Sequence, residues 1–176
     1  MVGYSELLQT MAAMVLFSLI LMTSNKIILL NSQKEVESEV EKRAITIAQT
    51  YIDEARVLPF DANTTAGPPA DIPEDFTNTG PGGGENSRAD FNDFDDYHGW
   101  TENVDWVQGS GDQAFQVSIQ VLYVQEANNF DMAMGSTNNY TEYKKMEVTV
   151  TSDFLTDGSG NNIEITVPYL RKYYKQ

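Results

Sequence analysis

Leu7-Leu8-Gln9-Thr10-Met11-Ala12-Ala13-Met14-Val15-Leu16-Phe17-Ser18-Leu19-Ile20-Leu21-Met22 is the stretch that decides how the rest of the chain is read. It carries no charge, and at about 1.5 Å per residue a helix of this length spans roughly 24 Å, short of a ~30 Å hydrocarbon core. Thr23-Ser24-Asn25-Lys26 interrupts it and Ile27-Ile28-Leu29-Leu30 resumes it. Taken together, residues 7–30 are long enough to cross a bilayer. A secretory signal peptide would place lysine or arginine ahead of the apolar run and small residues at a cleavage site behind it. Residues 1–6 hold no base, and an acid, Glu6, stands at the mouth of the run.

From Ser32 the pattern becomes amphipathic. Val36, Val40, Ala44, Ile47, Ala48, Tyr51, Ala55 and Leu58 recur at steps of three and four, one stripe of an α-helix. Glu37, Glu41, Lys42, Asp53 and Arg56 fall mainly on the other side. With no proline or glycine between Leu7 and Leu58, the expectation is one helix of about fifty residues, on the order of 80 Å long. The alternative is an anchor and a separate helix broken at Thr23–Asn25, where hydroxyl and amide side chains compete for backbone hydrogen bonds.

Pro59 marks a boundary, because proline disfavours helix in the residue before it. Residues 1–58 carry a net charge of −2 and residues 59–176 the remaining −13 of the chain's −15. Every proline and all but one glycine lie in the second part. Residues 59–114 read as loop, punctuated by Pro68-Pro69, Pro73 and Gly80-Pro81-Gly82-Gly83-Gly84. A loop of that length needs something to hold it down. Residues 115–170 read as an antiparallel sheet. Phe115, Val117, Ile119, Val121 and Tyr123 alternate with polar positions, as do Met146, Val148 and Val150, and Ile163, Ile165 and Val167. Asp157-Gly158-Ser159-Gly160 supplies a turn between the last two. The fold class is α+β: a long N-terminal helix over 1–58, with an apolar half at 7–30 and an amphipathic half at 32–58 laid on the sheet. An acidic head occupies 59–176.

Composition removes much of the enzyme menu. There is no cysteine, so no disulfide framework and no thiol nucleophile. With His98 as the single histidine, multi-histidine zinc centres are excluded. The acidic balance argues against nucleic-acid binding, which requires a basic face. Gly80–Gly84 lacks the lysine and the strand-to-helix context of a phosphate loop. No catalytic residue is expected.

Asp90, Asn92, Asp93, Asp95 and Asp96 crowd seven positions. Hard oxygen donors on a loop are what Ca²⁺ selects, although the spacing is not that of an EF-hand. The group is therefore either a calcium site that would order the loop or a solvated acidic segment. No other cofactor is expected. Asn63-Thr64-Thr65 and Asn139-Tyr140-Thr141 match the N-glycosylation pattern, making Asn63 and Asn139 candidate acceptors. The basic run Arg171-Lys172-Tyr173-Tyr174-Lys175 is expected to meet an acidic loop on a neighbouring molecule.

Glu6 at the head of the apolar run, with Asp93-Phe94-Asp95-Asp96-Tyr97-His98-Gly99-Trp100 further along, resembles the type IV pilins and pseudopilins in layout and in these two places. That family carries a glutamate near the start of the mature helix, and some pilin-like proteins carry a D-D-Y/F-x-G stretch. The chain is read as the processed form, its leader already absent. The resemblance implies a helical homo-oligomer that is membrane-inserted before assembly and an extracellular filament on the cell surface afterwards. It also implies a prepilin peptidase and inner-membrane assembly machinery as partners. The assembly residues it points to are Glu6, Met1, Leu7, Leu8, Met11, Met14, Val15, Phe17, Leu19 and Ile20. A carboxylate beside lipid or a packed helical core costs several kcal/mol unless paired. An N-terminal amine, its own or a neighbour's, is the nearest cation to neutralise Glu6. The plain alternative is an exposed acid at the positive end of a helix dipole. Two further readings stand beside the filament subunit. One is a pseudopilin or minor pilin of a type II secretion-like machine. The other is a membrane-anchored surface domain that binds calcium or another ligand.

Overall fold

Helix α1 (Tyr4–Ala55) begins directly after the non-helical Gly3 and runs uninterrupted through the polar patch at Thr23–Asn25. The hydroxyls in it do not break the ladder. Thr10 donates to Leu7 O, Ser18 to Met14 O and Thr23 to Leu19 O, at 2.8–2.9 Å. Each side chain thus folds back onto its own helix, so the expected single helix forms and the two-helix alternative does not. It ends at Ala55, three residues before the expected limit, with Arg56 N still bonded to Ile52 O and Leu58 N to Ala55 O.

The structure, a computed structural model, describes residues 3–107, 109–130, 140–157 and 160–174. It divides into two compact units, Met1–Val40 and Glu41–Gln176, with α1 passing through both.

In the second unit four strands form an antiparallel meander in the order β1-β2-β3-β4: β1 (Thr101–Asp105), β2 (Gln113–Tyr123), β3 (Tyr143–Thr156) and β4 (Asn162–Lys172). Register places Val117 opposite Val150, Ile119 opposite Val148 and Val121 opposite Met146, all buried, so period-two alternation puts one apolar face inward. Pro168, which lacks a backbone N–H, sits on β4, the edge strand where that loss is tolerated.

The amphipathic end of α1 packs on this sheet. Ala44, Ile47, Ala48, Tyr51, Ile52 and Ala55 are buried. The alanines let helix and sheet approach closely, while the large side chains supply about 1.5–3 kcal/mol each on burial. Of the expected stripe, Val36 is exposed and Ile52 takes a place that had not been assigned.

The expected loop at 59–114 is a correction. Strand β1 lies within it, and short 3-10 turns occupy Ala62–Thr64, Arg88–Asp90 and Asp95–Tyr97. Thr101-Glu102-Asn103-Val104-Asp105 carries one apolar residue and sits at the sheet edge with neither face fully buried, so it shows no alternation to read. The sheet accordingly covers 101–172 rather than 115–170. A second apolar cluster, Phe60, Phe76 and Tyr123 with Ile72, Tyr140 and Tyr173 packed against it, ties the segment after the helix to the strands.

Candidate functional site

Every residue from Gly3 to Val36 is exposed, including Leu7, Leu8, Met11, Met14, Val15, Phe17, Leu19 and Ile20. Leu30 is about half exposed and Met22 three-quarters. Among the described residues α1 is the one helix long and apolar enough to cross a membrane. So much apolar surface left in water is a surface awaiting lipid or other protein.

Glu6 is the third helical residue of α1, and its Oε2 lies 3.3 Å from the backbone N of Gly3, the residue that caps the helix. A glutamate at that position reaching back to the cap N–H is half of a capping box. The carboxylate thus satisfies one of the helix's own unpaired donors and also sits at the positive end of its dipole. Met1, the other member of the expected pairing, lies outside the described residues, as does Asn139. Asn63 is exposed in the first 3-10 turn, its side-chain amide donating to Asp75 O at 2.6 Å.

The acidic segment splits into two groups. Asp90 is exposed and caps its own turn, accepting from Ser87 Oγ (2.7 Å) and Ser87 N (3.2 Å). Asn92 is exposed and its side chain donates to Glu85. Asp93, Asp95 and Asp96 are buried. Asp96 Oδ2 accepts the backbone N–H of Asn92 and Asp93 at 2.8 and 3.0 Å, and Asp93 Oδ1 accepts that of Asp95 at 2.9 Å. Among the described residues no three acidic or histidine side chains converge as a metal-binding group.

What reaches into this segment is Lys144, from β3. Its ammonium is fully buried and donates to Asp95 Oδ1 (2.5 Å), Asp61 Oδ2 (2.9 Å) and Phe60 O (2.9 Å). The rings of Phe60 and Tyr123 lie 4.6 and 4.8 Å from the nitrogen, so the charge also faces two aromatic surfaces. Asp61 is the more heavily bonded carboxylate. It accepts from Asn63 N and Thr77 N as well as Lys144, and the Tyr123 hydroxyl lies 2.9 Å from it.

One ammonium faces several buried carboxylates, and the charge states separate accordingly. Desolvation works against the ionised form of Asp61, but the charge and hydrogen bond of Lys144, with two backbone donors, hold its carboxyl below the ordinary value. Asp95 has fewer donors. Burial pushes its carboxyl up to about 9 despite Lys144, helped by the neighbouring Asp93. Burial raises Asp93 as well. Asp61 is thus the carboxylate that pairs with Lys144 as an ion, while Asp95 is held in its neutral form.

A second hub joins the helix to the sheet edge. Glu102 Oε2 accepts from Tyr51 Oη (2.7 Å), Arg88 Nη1 (2.9 Å) and Trp100 Nε1 (3.2 Å), and Arg88 also pairs with Glu54 at 3.3 Å. Desolvation opposes the charge on Glu102, but these donors hold its carboxyl below the ordinary value. His98 Nδ1 accepts the backbone N–H of Val121, extending the β1–β2 pairing past the end of β1. Arg171, the first residue of the basic run, donates to Leu58 O (2.7 Å) and Pro59 O (3.2 Å) and lies over Phe94 at 5.1 Å.

Lys144 and Asp61 are the residues that sequence reasoning missed. A signal for Lys144 was present: it is in phase with Met146, Val148 and Val150, on the buried face of β3. A lysine in that phase demands carboxylate partners. No protein-family model, curated protein or solved structure matches this chain. Its architecture is that of an α+β chain with one long, apolar N-terminal helix and an antiparallel sheet, compatible with a pilin-like fold.

Proposed function

We propose that this chain is a structural subunit of a type IV pilus-like filament, held in the membrane by residues 7–30 before assembly and polymerised through the same residues afterwards. The observation that carries this is the apolar half of α1, exposed on all sides and headed by a single carboxylate. A bilayer can cover such a surface, and so can copies of itself. Exchanging one cover for the other conserves apolar burial while packing helices.

Glu6 has two functions in this proposal. It caps its own helix through Gly3 N, and its charge attracts the N-terminal amine of the adjoining subunit and sets its register. The strongly negative head would then coat the polymer and resist lateral aggregation.

The experiment is electron microscopy of filaments sheared from cells, with mass spectrometry of the dominant band, for the natural chain and Glu6→Gln. Glutamine keeps the capping acceptor and removes the charge. The expected outcome is long filaments built mainly of this chain, and for Glu6→Gln a folded, membrane-inserted protein with few filaments. A chain that stays in the membrane fraction without filaments would sink the proposal in favour of a secretion-machine pseudopilin or an anchored binding domain. Undiminished filaments from Glu6→Gln would leave Glu6 a helix cap and nothing more.

A further inference from the structure

We infer that Lys144 and Asp95 condense spontaneously into an intramolecular amide, with Asp61 as the catalytic proton carrier. The inference does not rest on the filament proposal, since it concerns groups inside the second compact unit alone.

The geometry has the parts such a reaction needs. The nucleophile, Lys144 Nζ, is wholly buried and 2.5 Å from Asp95 Oδ1, so the carboxyl carbon is one C–O bond beyond that contact. Groups held this way react with effective molarities on the order of 10⁵–10⁸ M when the approach is well oriented. The proton acceptor, Asp61 Oδ2, is 2.9 Å from the same nitrogen. The surroundings are dry: Phe60 and Tyr123 cover the ammonium, and Phe94 and Tyr97, both buried, flank the segment carrying Asp95. Exclusion of water favours condensation over hydrolysis once the product water has left.

The two carboxylates are not interchangeable. Asp61 is fixed as a carboxylate by Asn63 N and Thr77 N, which makes it a poor electrophile, and its Oδ2, 2.9 Å from the lysine nitrogen, is the proton acceptor within reach. Asp95 Oδ1 takes its hydrogen bond from the lysine, and its carboxyl is held in the neutral form by burial. Lys144 passes a proton to Asp61 and becomes a free amine. Its lone pair attacks Asp95 Cγ, forming the C–N bond as the carbonyl π pair moves onto oxygen. Asp61 protonates the Asp95 hydroxyl and takes a second proton from nitrogen. The C–O bond breaks and water leaves. Ammonium, carboxylate and carboxylic acid thus become amide, water and a neutral Asp61, with no net redox change and no charge left in the cluster.

The bond would close a loop between residues 49 apart in sequence and fasten the segment after the helix to β3. In a chain without cysteine it does covalently what a disulfide does elsewhere.

The test is the intact mass of the full chain, purified in detergent and then denatured. The expected mass is one water below the sequence value. Peptide mapping should join the peptide bearing Lys144 to the one bearing Asp95, with no tryptic cut after Lys144. Lys144→Arg should show the full mass. Asp157-Gly158 can also lose water by cyclising, so a deficit mapped there, or one that persists in Lys144→Arg, overturns the inference. So does a folded natural chain at its full mass, whether or not any variant folds.

Discussion

Phe94→Ala tests what holds the 59–100 segment in place. Phe94 is fully buried, 6.1 Å from the ring of Tyr169, with the Arg171 guanidinium 5.1 Å above it. Its backbone N–H bonds to Pro59 O, and alanine keeps that contact, so the change isolates the ring. Truncating a buried phenylalanine costs about 3–5 kcal/mol. For a folded unit of this size that is a fall in thermal midpoint of roughly 6–20 °C. Asp90→Ala is the comparator: Asp90 is exposed and bonds only within its own turn, so losing the cap costs about 0.5–1 kcal/mol. Tryptophan fluorescence of the full chain in detergent is the assay. Trp100 packs on Phe91 and Trp106 on Phe115, so both report the second unit rather than the apolar helix. Melts in EDTA and in added calcium should give the same wild-type midpoint, because Asp93, Asp95 and Asp96 are already occupied by backbone donors and Lys144. Equal losses from the two variants would refute the reasoning, as would a calcium-induced rise that Asp90→Ala abolishes.

Tyr123→Phe should lower stability by about 1–2 kcal/mol, read from chemical denaturation, because the hydroxyl lies 2.9 Å from both Asp61 Oδ2 and Thr77 O and both stay buried without it. Acid should destabilise the second unit. Glu102 is held below its ordinary value, so its contribution is complete above the usual carboxylate range near pH ~4 and is lost as pH falls through its lower folded value. A midpoint that did not fall from pH ~5 to ~2 would contradict this sign. Asp95 runs the other way: its carboxyl is raised to about 9, so its contribution is present below the ordinary range and lost as pH rises to about 9. An amide at Asp95 cannot titrate, so the alkaline loss should be seen in Lys144→Arg and be absent from the natural, cross-linked chain.

The helix was legible because nothing between Leu7 and Ala55 contradicts it. Apolar character, then a stripe at three- and four-residue steps, without glycine or proline, gives every turn a local reason to be helical. The three longer strands were legible for the same kind of reason, since each carries at least three apolar residues in succession in one phase. Strand β1 was not, because it has a single apolar residue, Val104, and no fully buried position. Its place is set by backbone pairing to β2 and by Glu102, whose partners Tyr51 and Arg88 come from elsewhere in the chain. The capping role of Glu6 was half legible: the acid at a helix start was plain, but the acceptor's reach to Gly3 N depends on which residue is the cap.

The acidic segment shows how far folding can separate residues that are adjacent in sequence. Asp90, Asn92, Asp93, Asp95 and Asp96 look like one cluster because they are adjacent, and adjacency suggested a shared cation. Folding separates them: the 3-10 turn at Asp95–Tyr97 turns Asp95 inward, while Asp90 stays on the surface. The cation that answers the buried members comes from 49 residues away, and its other carboxylate partner, Asp61, from 83. A buried ammonium is costly unless its donors are filled. Here Asp61, Asp95 and the carbonyl of Phe60 fill all three. That same requirement fixes the positions of residues 60–61 and 95 on the strand. The phase of one lysine on β3 thus ties Phe60, Asp61 and Asp95 to the sheet.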